Sequence, residues 1–159
     1  MKWLTVFLGV AAFAASVSAR CLPFHLKIAN SPNTAINGFY LENKSGVATF
    51  NAGLESVVGC FSDTSRELFV TPSKDGRDIF LLVPIDSSGV ENLLFGHDKA
   101  GANYNDFNLR NGYLTYGRDA DRFVAFPSSA GTGWVIRWVP KDVITTANGF
   151  SIDLQVEWV

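Results

Sequence analysis

The last nine residues before Val159 leave little conformational choice: Phe150, Ile152, Leu154, Val156 and Trp158 alternate with Ser151, Asp153, Gln155 and Glu157. Successive side chains of a strand point to opposite faces, so a period of two gathers the apolar groups on one side and the polar groups on the other. A helix would scatter the same residues around its axis. A slip of one residue would expose the whole apolar set, so the register of this strand is expected to be firmly fixed.

The stretch from Phe107 to Val139 repeats the habit. Phe107 and Leu109 alternate with Asn108 and Arg110, and Tyr113 to Tyr116 resumes after Asn111-Gly112. Phe123 to Phe126 is a short apolar run closed by Pro127, and Trp134, Ile136 and Trp138 alternate with Val135, Arg137 and Val139. Asn-Gly between two such runs is a strong hairpin signal, because a type I′ turn needs positive φ at both central positions. Further strands are expected at Leu22 to Ala29, Gly38 to Glu42, Val47 to Phe50, Leu54 to Phe61, Glu67 to Thr71 and Asp78 to Ile85. Ile79 to Val83 is apolar on both faces, which places it centrally, whereas Val90 to Phe95 reads as one helical turn or another strand. Many short strands at this spacing, without a strong amphipathic helix, predict an all-β antiparallel domain, with a β-sandwich or a barrel-like closure as the architectures.

The beginning of the chain is a different object. Lys2, the apolar run Trp3 to Phe13 and the small residues of Val17-Ser18-Ala19 follow the order of a secretory leader. Cleavage is expected after Ala19, so that 1–19 is a signal peptide and 20–159 a single secreted β-domain, extracellular or cell-wall-associated. No later run reaches the ~20 apolar residues of a membrane helix. Losing Lys2 leaves 12 of the 13 basic residues against 15 acidic ones, a formal net charge of −3, with no block of like sign. Nucleic acid is therefore not an expected partner, since binding it needs a basic patch that displaces counterions. In an oxidising compartment Cys21 and Cys60 are expected to form one disulfide, which would pin an otherwise fraying end. Asn43-Lys44-Ser45 makes Asn43 the expected glycosylation site.

A Gly-aromatic-Leu strand, a short Val-Ala-Phe strand and a Trp-containing strand, as in Phe107 to Val139 and more loosely in Asn37 to Phe61, resemble one lobe of the β-trefoil domains of lectin-like and fascin-like proteins. That resemblance implies a β-trefoil-like single domain, with the antiparallel β-sandwich as the alternative. The Gln-x-Trp signature of trefoil lectins is absent, since Gln155 is followed by Val156 and Glu157. In its leader, single cysteine pair and compact aromatic-rich β-domain the chain also resembles the small secreted proteins of filamentous ascomycete fungi. That likeness implies a wall-associated or host-facing, effector-like role.

Catalytic signals are sparse. His97-Asp98 is the only adjacent acid–base pair, and no Gly-x-Ser-x-Gly elbow frames Ser87, Ser88 or Ser128. His25 falls on the polar side of its strand and is expected at the surface. Asp119, Asp121, Asp75 and Asp78 lack the spacing of a calcium loop, and the two histidines lack ligand spacing. No catalytic residue, metal or cofactor is expected. The remaining signal is aromatic: Tyr104, Tyr113 and Tyr116 lie near turns, where an amphipathic ring can stack on a sugar or a partner. The expected function is non-enzymatic binding by a monomer, with a polysaccharide or a host protein as ligand. The alternatives are a protease-inhibitor-like effector, using a loop such as Asn30 to Asn37 or Pro127 to Gly133, and a small secreted hydrolase around His97.

Overall fold

The computed structural model describes residues 22–71, 78–117, 122–129, 131–143 and 148–159. The expected leader, Cys21, Asp75, Asp119, Asp121 and the turn after Thr71 lie outside them. Twelve strands follow one another: β1 (Pro23–Ala29), β2 (Glu42–Lys44), β3 (Val47–Phe50), β4 (Val58–Phe61), β5 (Leu68–Thr71), β6 (Ile79–Pro84), β7 (Glu91–Gly96), β8 (Phe107–Arg110), β9 (Tyr113–Tyr116), β10 (Arg122–Pro127), β11 (Trp134–Val139) and β12 (Phe150–Trp158). Their only helical companion among the described residues is a 3-10 turn at Thr34–Ile36, so no helix there is long and apolar enough to cross a membrane.

Local chemistry explains the hairpins. Arg110 pairs with Tyr113, and the two residues between them take positive φ, Asn111 at 52° and Gly112 at 82°. The β2–β3 turn uses the same conformation at Ser45 (53°) and Gly46 (88°), braced by a 2.8 Å bond from the Gly46 N–H to Asn43 Oδ1. Val90 to Phe95 resolves as strand: Glu91, Leu93 and Phe95 face inward at alternate positions. Ile79 to Leu82 are all buried, as the doubly apolar run predicts. The strand expected from Leu54 shortens to Val58–Phe61, since Leu54, Glu55 and Ser56 are exposed.

All twelve strands belong to one antiparallel sheet. Followed from neighbour to neighbour, β1, β4, β5, β6, β7, β11, β10 and β12 return to β1, so the sheet closes on itself. The sandwich alternative is thereby corrected: closure buries the inner face without a second sheet. The seam is β1 against β12, where Phe24↔Trp158, Leu26↔Val156 and Ile28↔Leu154 are directly opposed. β2 hangs on β3 and β8 on β9, while β3, β7 and β11 pair with one another through Val47↔Leu94, Trp138↔Glu91 and Trp134↔Phe50. Phe24, Phe50, Phe80 and Phe107 are fully buried in the core, each worth roughly 2–3 kcal/mol relative to exposure.

Gly59 shows how closely this interior is packed. It opposes Phe24 across β1 and β4, and a Cβ there would stand 2.9 Å from the Phe24 ring. Phe24 is itself fully buried, so a shift of its ring disturbs its neighbours. Gly59→Ala is expected to destabilise the fold by about 1–3 kcal/mol, read as a lower urea midpoint with an unchanged slope; an unmoved midpoint would mean the ring swings aside.

Candidate binding cleft

Where β12 runs past the core, the alternation that buries Val156 brings Trp158 to the inner face of the sheet's end. Little covers it there, so Trp158 stays 57% exposed, yet its ring is held edge-on against Phe24 at 5.5 Å and 81°. Beside it lies the turn from β4 to β5. The Ser62 N–H bonds to Glu67 O at 2.9 Å and the Arg66 N–H to Ser62 O at 2.8 Å, a closure that forces Arg66 to φ 59°. A left-handed backbone costs a non-glycine residue about 1–3 kcal/mol, and such strain concentrates at functional sites. The Arg66 side chain crosses to β8, where Nε donates to Phe107 O at 3.3 Å.

β8 makes that contact possible because β9 is its only paired neighbour among the described residues. Beside a two-residue turn Arg110 and Tyr113 form the hydrogen-bonded rung, so Phe107 and Leu109 turn their N–H and C=O groups away from β9. The open end between these elements is a cleft of about 340 Å³ lined by Leu22, Phe61, Asp63, Arg66, Asn108, Leu109 and Trp158. An exposed ring, three apolar walls and three polar groups share it. One acid and one base make its formal charge zero.

None of the tyrosines singled out in the sequence lines this cleft. Tyr104 lies under the Lys99 ammonium, 4.4 Å from ring centre to nitrogen, and Lys99 also pairs with Glu67. Tyr113 accepts from Asn30 Nδ2 at 3.5 Å. Tyr116 packs edge to face between Phe107 (5.1 Å) and Trp138 (5.7 Å); burial, helped by the negative charges of Glu91 and Asp106, pushes its phenol up to about 12. Asn43 is exposed on the β2–β3 hairpin. His25, expected at the surface, is half-buried with Nδ1 3.0 Å from Val57 O. His97 is exposed with Nδ1 3.8 Å from Asp78 Oδ1, while Asp98 bonds to the Ala100 N–H. Ser87 and Ser88 sit at the other end of β7, roughly 20 Å away at 3.3 Å per residue. The Asn30 to Asn37 loop is braced internally: Asn37 Oδ1 accepts the Ser31 N–H at 3.0 Å, and Ile36 is buried beneath it.

A second polar cluster escaped the sequence. Glu91 is 6% exposed, and burial pushes its carboxyl above the ordinary range against the opposing bond from Asn103 Nδ2 to Oε1 at 2.5 Å. Its position in the alternation Glu91, Leu93, Phe95 was the available signal, hidden because that segment also fitted a helical turn. No protein-family model, characterised protein or solved structure matches the chain.

The raised Glu91 carboxyl has a definite sign in stability. Below the unfolded value near 4.5 the group is neutral in both states. As pH rises past it, the unfolded chain ionises first, so stability is lost until the folded carboxyl also ionises. Glu91→Gln is expected to leave stability nearly unchanged at about pH 3.5 and to raise it at about pH 7, measured by urea unfolding. Parallel pH profiles for the two proteins would contradict the burial assigned to Glu91.

Proposed function

We propose that this is a secreted, non-enzymatic binding protein, monomeric and wall-associated or extracellular, which holds a short neutral saccharide in the cleft at Trp158. The 1–19 leader and a Cys21–Cys60 bond between the two cysteines of the sequence belong to the same proposal. Three hairpins, β2–β3, β6–β7 and β10–β11, whose second strands pair with one another, support a trefoil-like scaffold.

The single observation that carries the ligand is the exposed but fixed indole of Trp158 beside Asp63, Arg66 and Asn108. A sugar ring offers an apolar C–H face to an aromatic plane and a rim of hydroxyls to polar side chains. Carboxylate, guanidinium and amide together supply both acceptors and donors for that rim. The zero formal charge favours a neutral glycan over a phosphorylated or acidic one. The second reading, a protein partner, rests on the outward backbone of Leu109, whose N–H and C=O could extend the sheet by one strand.

Titration with neutral wall-type oligosaccharides, followed by Trp fluorescence and calorimetry, tests the proposal. Binding is expected in the native protein and about tenfold or weaker in Trp158→Ala, equivalent to ~1.4 kcal/mol, with the urea midpoint little changed because the ring is largely in water. Native protein that binds no neutral oligosaccharide sinks the saccharide reading. Binding that survives Trp158→Ala moves the ligand away from the cleft.

A further inference from the structure

The three strands that pair with one another are not equivalent in what they place face to face. Val47 opposes Leu94 between β3 and β7, and Trp134 opposes Phe50 between β11 and β3, their rings stacked at 6.0 Å. Between β7 and β11 the corresponding rung opposes Glu91 and Trp138. Two rungs are apolar and the third sets a carboxyl against an indole.

Directly opposed residues of an antiparallel pair project from the same face, with Cβ atoms about 5 Å apart. Glu91 Oε2 can accept and Trp138 Nε1–H can only donate. Both atoms are buried, and neither has a partner among the described residues. A buried polar group left unpaired costs about 1–3 kcal/mol, so two complementary orphans on one rung call for a shared solution. The direct bond is not made because each side chain is tethered elsewhere. Asn103 holds Glu91 by the other carboxyl oxygen, and is itself fixed to β6 by paired backbone bonds with Leu82 of 2.8 and 2.7 Å. Trp138 is held edge-on by Tyr116.

We infer that this rung is a binding site for one internal water molecule, which accepts from Trp138 Nε1 and donates to Glu91 Oε2. The Tyr116 ring, packed edge to face against the Trp138 indole, borders the rung. Two to four polar partners are what an enclosed water needs, and a bridge of this kind is enthalpically close to a direct hydrogen bond. The water joins β7 and β11, and through Glu91 the Asn103 segment, replacing with hydrogen bonds the apolar contact that the other two rungs make directly. The site is independent of the saccharide cleft.

The full-length native protein tests it in two ways. In a high-resolution crystal structure, one solvent peak is expected within about 3 Å of both Trp138 Nε1 and Glu91 Oε2; a direct Nε1–Oε2 bond, or a dry gap, overturns the inference. In solution, the Trp138 indole N–H, assigned by its loss in Trp138→Phe, is expected to show cross-relaxation with a long-lived water. Absence of that cross-peak in the native protein counts against the site. Glu91→Leu removes the acceptor and is expected to abolish the cross-peak; persistence there overturns the bridge. Should Glu91→Leu fail to fold, the native-protein measurements decide.

Discussion

Everything in this molecule depends on the seam between β1 and β12. Alternation along each strand creates an apolar face, but one face of a single sheet has nothing to cover it unless the sheet curls round and meets itself. The meeting is made by the first and last described strands, opposed from Phe24↔Trp158 to Ala29↔Asp153. A sequence with fewer aromatic residues would leave the enclosed space poorly filled. Here phenylalanines from β1, β3, β6 and β8 are fully buried in that core.

The cleft follows from the same geometry. A closed sheet must have ends, and at one of them β12 runs past β9 while β8 has no strand on its outer side among the described residues. The β4–β5 turn cannot add a strand there; it sends an arginine side chain, at the cost of a left-handed backbone. What would otherwise be a frayed edge becomes a surface of fixed aromatic and polar groups. The Glu91 rung is the complementary case, a place where the interior accepts a carboxyl among apolar neighbours.

The sequence yields most of the fold and little of the cleft, for physical reasons. Period two, Asn111-Gly112 and Ser45-Gly46 are local signals, and local forces set strands and turns, so β8, β9, β11 and β12 were legible almost to the residue. Pairing partners are not local. Nothing near Trp134 announces that Phe50 lies opposite it, and the choice between two packed sheets and one closed sheet depends on such distant pairs. Trp158 looked like one more core residue, because alternation tells which face a side chain takes and not whether that face is covered. Arg66 carried no signal at all: its strain comes from hydrogen bonds that close only in the finished turn. Tyr116 lies near a turn in the sequence, but Phe107 and Trp138 enclose it from strands that the sequence does not align.

The β1–β12 seam also orders events in time. The first described strand finds its longest partner in the last described one, with most of the described residues looped between them, and such distant contacts are slow to form. A chain still emerging from a ribosome lacks the piece that shuts its core. Until β12 has been made, the inner aromatic face lacks the strand that closes over it.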